Sequence, residues 1–188
     1  MMFDERLILQ IARGDAEAFR QVYEATDSAV YGFALSILGN RHDAEDVMHD
    51  TYIRMAQGAA AYQPMGRPLA WLLTIVRRLC YNKLRARKPE LSLQEPETLE
   101  ALARSGLAAD GGSAVEISAD RRILEEALVK ISEEERQIVI LHAVTGMKHR
   151  EIAELLGLPL STVLSKYRRA LKKLRNAMGE GSTDGSEA

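Results

Sequence analysis

The sequence predicts an all-α protein of two small helical domains, an N-terminal bundle and a C-terminal helix-turn-helix, joined by a flexible acidic linker. Three observations point there. Apolar residues recur at three- and four-residue steps along most of the chain, with no convincing strand run. Hydrophobic residues make up 46% of the 188 positions but aromatics only 5%, so a core must be built from Leu, Ile, Val and Ala, which suit helix packing. A stretch rich in Pro, Gly and acids, residues 89–118, interrupts the helical pattern. The length has room for one ordinary domain or two small ones.

The elements follow in order. "AFRQVYEATDSAVYGFALSILGN" lines up Phe19, Val22, Tyr23, Val30, Phe33, Ala34, Ile37 and Leu38 at helical spacing, and Gly39-Asn40 supplies a stop. "DAEDVMHDTYIRMAQ" follows, with Asp43 as a candidate cap and Val47, Met48, Tyr52, Ile53 and Met55 for an inner face. Proline and glycine in "AAAYQPMGRP" break the helix. "LAWLLTIVRRLCYNKLRARK" is helical again, apolar at its start and basic at its end, and closes a first domain over residues 1–88. Residues 89–118 read as linker, with a short helix at Glu97–Arg104. Helices resume near Ala119 for a second domain, 119–178; residues 179–188 read as a disordered tail. Within the second domain "SEEE" fits a capping box, Ser132 with Glu135. "RQIVILHAVTG" is a very apolar helix that Gly146 ends.

Charge is segregated. Residues 1–50 hold 4 basic and 10 acidic side chains, residues 51–89 hold 8 and none, residues 90–135 hold 4 and 12, and residues 136–178 hold 9 and 2. A net charge of −2 hides two separate cationic segments, as expected for two contacts with a polyanion. In "HREIAELLGLPLSTVLSKYRRALKKLR", Ile152, Leu155 and Leu156 face inward, and Ala153 allows close approach. Gly157 ends the first helix in a left-handed turn and Ser161 is placed to cap the next. On that second helix Val163, Tyr167, Ala170, Leu171 and Leu174 cluster on one side. Ser161, Ser165, Arg168, Arg169 and Lys172 lie opposite, flanked by Thr162, Leu164, Lys166 and Lys173. A helix of this kind fits the DNA major groove, its N-terminal half at base edges and its cations at phosphates. The competing reading is a merely solvated basic face.

Other classes find little support. No apolar run is long enough to span a membrane, and the first residues lack a secretory signal. Cys80 is the only cysteine, so an internal disulfide is excluded and a reducing, cytoplasmic setting fits. Cys80 reads as a small apolar residue. His42, Asp46 and His49 share a helix face, but a lone helix supplies too few ligands for a stable site, and neither metal nor cofactor is expected. His149 is expected at the surface. No convergent polar constellation suggests an enzyme.

The helix-turn-helix "EIAELLGLPLSTVLSKYRRALKKLR" resembles region four of bacterial sigma factors, especially the extracytoplasmic-function (ECF) group. "GNRHDAEDV" and "AWLLTIVRRLCYNKLRARK" resemble signatures of region two, in the matching order. The resemblance implies a region-two helical bundle and a region-four helix-turn-helix, with no room between them for a further domain. It implies core RNA polymerase as partner, through the β′ clamp helices and the β flap, and promoter DNA. It also implies sequestration by an anti-sigma factor. Asp43, Glu45, Asp46, His49 and Asp50 would meet polymerase. Met65, Gly66, Arg67, Trp71, Arg77, Arg78, Tyr81, Asn82 and Arg85 would capture the minus-ten element, with Trp71 equally suited to core packing. Ser161, Thr162, Leu164, Ser165, Lys166, Arg168, Arg169 and Lys172 would hold the minus-thirty-five duplex. Arg78 stands where the family often has Asn, and Leu164 where a basic residue is common. The implied localisation is cytoplasmic, with the nucleoid as its active place. A helix-turn-helix regulator that never binds polymerase is the alternative. The acidic linker, with Glu90, Glu95, Glu97 and Glu100, is further expected to fold over the cationic faces.

Overall fold

The structure is a computed structural model that describes residues 3–91 and 130–180, without the side chains of 88–91 and 178–180. The described residues form seven α-helices and no strand. The expected linker, its short helix, its folding over the cationic faces, the restart near Ala119 and the tail lie outside them. At their inner edges the flanking helices run on, to Leu91 and to Glu180.

The N-terminal unit contains α1 (Arg6–Ile11), α2 (Ala16–Leu38), α3 (Arg41–Gly58), a 3-10 turn (Ala59–Ala61) and α4 (Pro68–Leu91). Asp15 caps α2, its carboxylate accepting from the Glu17 and Ala18 N–H groups at 2.9 and 3.0 Å. Gly39 stops α2 as expected. The cap of α3 differs from expectation. Asn40 accepts from the Asp43 N–H at 3.0 Å, so Asp43 lies in the first turn, with its side chain free to turn inward.

The C-terminal unit contains α5 (Glu133–Ala143), α6 (His149–Leu156) and α7 (Leu160–Glu180). Ser132 and Glu135 form the expected reciprocal capping box. Gly157 ends α6 at φ 70°, a left-handed conformation that suits glycine. Because α7 already begins at Leu160, Ser161 sits inside its first turn instead of capping it.

The two units are packed together. Phe33, Ile37, Met55, Leu72 and Leu73 belong to the same apolar cluster as Ile138, Leu141, Ile152, Leu156 and Val163. A smaller cluster, Ile131, Val139, Ala170 and Leu174, ties α5 to the later turns of α7. Leu171 is exposed, not buried. Arg136 is buried too, and its Nε donates to the Ser36 carbonyl at 3.1 Å across the junction. Cys80 is fully buried, and burial pushes its thiol up to about 12, as suits a small core residue.

Glu135 joins the cap to α7, for its carboxylate accepts from Lys173 Nζ at 2.8 Å. Burial raises its pKa, but the bonds from Lys173 and Ser132 outweigh this, and the group lies below its ordinary 4.5. A lowered folded pKa stabilises above the unfolded value and ceases to do so as pH falls through the folded one. Urea unfolding from about pH 6 down to about pH 3 should therefore show a shallower loss of stability in Glu135→Gln than in the wild type. Parallel curves would remove Glu135 from the acid response.

Candidate nucleic-acid interface

On the C-terminal unit the helix-turn-helix is fixed from within by three rings. His142, His149 and Tyr167 pack with centroids 4.5, 4.7 and 5.0 Å apart, one ring from each helix. The His142 Nδ1–H donates to the Met147 carbonyl at 2.9 Å. His149 is half-buried, against the surface position expected, because Tyr167 and His142 cover it. Burial, with the nearby His142, holds its pKa below the usual imidazole range. The stack thus orients α7 against α6.

The outer face of α7 carries most of the residues picked from sequence. Ser161, Ser165, Arg168, Arg169 and Lys172 are exposed, while Thr162, Leu164 and Lys166 are partly covered. Ser165 Oγ donates to the Thr162 carbonyl at 2.9 Å, and Lys166 pairs with Glu134 at 2.7 Å.

On the N-terminal unit a loop runs from Tyr62 to Arg67, between the 3-10 turn and α4. Tyr62 is buried with its ring 4.8 Å from that of Trp71. Trp71 is half-buried, so it packs and still shows an edge. Met65 at the loop tip is 75% exposed. The Tyr62 hydroxyl and the Gly66 N–H both donate to Glu5 Oε2, at 3.2 and 2.9 Å. Arg54, Trp71, Arg78 and Asn82 line a recess of about 400 Å³ between α3 and α4. Arg77, Arg78, Tyr81 and Arg85 line a second groove, of about 390 Å³, closed on one side by Leu155 of α6.

The acidic helix α3 divides by burial. Glu45, Asp46, His49 and Asp50 are exposed. Asp43 is 4% exposed and pairs internally with Arg87 and with Lys83, the latter at 3.1 Å. It therefore serves the fold of the unit and presents no surface to a partner. Asp46 shares Lys83 at 2.7 Å, and that bond holds its carboxyl below the usual range. Ile53, expected inside, is 54% exposed beside this acidic row. His42 Nε2 stands 4.0 Å from Asp46, and among the described residues no group of three His, Cys, Asp or Glu side chains could hold a metal.

The two surfaces are not independent. Arg67 pairs with Glu154. Arg77 donates to the Leu156 carbonyl at 3.3 Å, and the Tyr81 hydroxyl to Glu133 at 3.3 Å. Three residues picked for minus-ten contact thus touch the C-terminal unit in this arrangement. Sequence reading missed their partners Glu133 and Glu154, and also Glu5. All three are remote in the chain from what they bind, and no local pattern marks them.

Comparison with known proteins agrees with this geometry. Residues 22–90 match the Sigma-70 region 2 family and residues 121–174 match Sigma-70, region 4. The ECF RNA polymerase sigma factor SigK of Mycobacterium ulcerans (strain Agy99) is 33% identical over 174 residues, covering 92% of this chain and 91% of that protein. The chain belongs to the ECF sigma factors. SigK of Mycobacterium tuberculosis (strain ATCC 25177 / H37Ra) is 29% identical over 93% of this factor and 92% of its own length. Two solved structures share the fold. The sigma factor RpoE in complex with the anti-sigma factor NepR from Bartonella quintana has a TM-score of 0.67 at 23% identity, covering 90% of this chain and 99% of that one. CnrH in complex with the cytosolic domain of CnrY has a TM-score of 0.61 at 22% identity, covering 94% and 97%. No described helix of the sigma factor is long and apolar enough to cross a membrane.

Gly32 of α2 faces Ile140 of α5, where an added Cβ would lie 3.6 Å from Cγ2. An added Cβ alone would make ordinary contact, but the further carbons of a leucine would press on Ile140 and should wedge the units apart. Gly32→Leu is expected to raise the radius of gyration in small-angle scattering, with helicity little changed. Parting of the units would also release Arg67, Arg77 and Tyr81 from Glu154, Leu156 and Glu133. An unchanged radius would show that the junction accommodates the larger side chain.

Proposed function

We propose that this ECF sigma factor divides promoter recognition between its two units in the following way. The outer row of α3, Glu45, Asp46, His49 and Asp50 with Ile53 among them, docks on a basic groove of core polymerase, the β′ clamp helices. Loop 62–67 and the recess beneath it, between Arg54, Trp71, Arg78 and Asn82, take an unstacked minus-ten base while Arg85 and Arg77 follow the backbone. Helix α7 enters the major groove of the minus-thirty-five duplex, with Arg168, Arg169 and Lys172 on phosphates or guanine edges and Leu164 against a thymine methyl. The neighbouring helices meet the β flap. The single observation that carries this reading is a buried, ring-locked inner face on α7 opposite an exposed cationic outer face. RNA synthesis itself is the work of the polymerase, and the factor acts in the cytoplasm, at the nucleoid once loaded.

The described arrangement supports a closed, waiting form. Arg67, Arg77 and Tyr81 must leave Glu154, Leu156 and Glu133 before they meet DNA. The relatives CnrH and RpoE were each solved with a partner, and an anti-sigma factor that seals such a closed form fits this chain as well. A regulator acting without polymerase is the weaker reading, because the N-terminal unit matches sigma region 2 over most of its length.

Run-off transcription with core enzyme and genomic fragments tests the whole proposal; a chain that neither loads nor initiates sinks it. Arg168→Ala with Arg169→Ala should weaken duplex binding and reduce the salt slope by about 1 for each phosphate that is no longer neutralised. Lys166→Ala should do less, since Glu134 already engages it. Asp50→Ala should lower polymerase affinity and leave stability within about 0.5 kcal/mol. Asp43→Ala should instead cost on the order of 1–3 kcal/mol in urea unfolding, because Lys83 and Arg87 lose a buried partner. Equal stability of the two variants would refute the division of α3 into an inner and an outer carboxylate.

A further inference from the structure

We infer that Glu5 is a positioning residue for strand opening, its carboxylate fixing loop 62–67 in the path that sets Met65 outward. The inference rests on the assignment of that loop to base capture. The loop has little of its own to hold it. Pro64 brings no N–H, so one of the loop's possible backbone donors is missing. Gly66 takes φ 70°, where nothing lies within 4 Å of an added Cβ, so the glycine answers to the backbone path and not to crowding. That path is set by a residue far upstream. One oxygen, Glu5 Oε2, accepts from the Tyr62 hydroxyl at the start of the loop and from the Gly66 N–H past its tip. The two bonds span Met65, and a charged acceptor makes both stronger than a neutral one would.

Glu5 stands on a firm base. Phe3 and Ile8 flank it in the chain and are both in the core, 8% and 0% exposed. The Ile8 N–H donates to the Glu5 carbonyl at 3.1 Å. Tyr62 is held in turn by Trp71, the aromatic wall of the recess. The carboxylate thus couples the entry of α1 to the one large apolar side chain that the loop exposes. A loop ordered before it meets DNA gives up less freedom on binding. Loss of the tie should therefore appear as loss of base capture, not of docking.

The test uses the full chain loaded on core polymerase and a promoter recovered by run-off transcription. Single-stranded minus-ten oligonucleotides, intact or abasic at each position in turn, are titrated against wild type, Glu5→Ala, Glu5→Gln, Tyr62→Phe and Met65→Ala. In the wild type one abasic position should weaken binding strongly. Glu5→Ala should weaken intact-strand binding about tenfold and erase the penalty at that position, with the abasic strand bound as in the wild type. Glu5→Gln should lose about threefold, since an amide oxygen still accepts. Tyr62→Phe should show less than its full effect once Glu5 is already Ala, as expected for coupled groups. Core affinity should not change in any of these variants. If both Glu5 variants discriminate the abasic position like the wild type, or weaken every strand alike, the inference is overturned. Should Glu5→Ala fail to fold, the Glu5→Gln pattern decides alone. If Met65→Ala leaves the positional penalty intact, the assignment of the loop to base capture has failed, which is a separate result from the failure of Glu5.

Discussion

The arrangement depends on α5 being covered on several sides at once. Glu135, Arg136, Gln137, Ile138 and Val139 are five consecutive buried residues, more than a single helix face can hold. A helix covered all round belongs to a core. Here it is a core between units. Arg136 and Ile140 face α2, Val139 faces the far turns of α7, and Glu135 reaches Lys173. Without α2, the helix-turn-helix would expose Ile138, Leu141 and the Arg136 guanidinium together. The bond from Arg136 to the Ser36 carbonyl adds a polar tie across the junction to this apolar cover.

The polar contacts of the junction are of another kind. Arg67 and Glu154 are both more than half exposed, and surface pairs contribute little. Across the junction Arg77 and Tyr81 meet a carbonyl and a carboxylate at 3.3 Å. The apolar strip holds the units together, and the cationic side chains rest against it through weak bonds. A polyanion that offers phosphates to several of them at once competes well with such partners. The junction therefore has a strong apolar part and a weak polar part.

Much of the fold is legible in the chain. Helical period, the Ser132 capping box, the Gly157 turn and the basic face of α7 all follow from local chemistry, and the helices appear where those signals stand. The departures share one cause. Charge alone groups Asp43 with its acidic neighbours, but Asn40 takes the cap and releases Asp43 toward Lys83 and Arg87, forty and more positions away. Apolar character alone puts Ile53 inside, although it follows Asp46 and Asp50 at steps of four and three on the outer face. Polarity alone puts His149 at the surface, because the rings of His142 and Tyr167 come to it only in three dimensions. Local pattern decides which residues form a helix. It does not decide which remote side chain claims a polar group.

That limit bears on the charge pattern itself. Alternating acidic and basic segments suggest two separate grips on one polyanion. In the folded chain an acid of the second unit meets a base of the first, as Glu154 does Arg67, Lys83 meets Asp43 and Asp46 within the first unit, and Glu134 and Glu135 take up Lys166 and Lys173 within the second. Opposite charges on one chain meet at high effective concentration, so these cations stay near an acid in the folded chain. Among the cations that escape this is the row Arg168, Arg169 and Lys172 on α7, turned away from every buried helix and exposed. Arg54, Arg78 and Arg85 of the first unit are exposed in the same way, so the ion pairs take up only part of each basic segment. Segregation of charge along the chain therefore overstates the separation of charge in the fold.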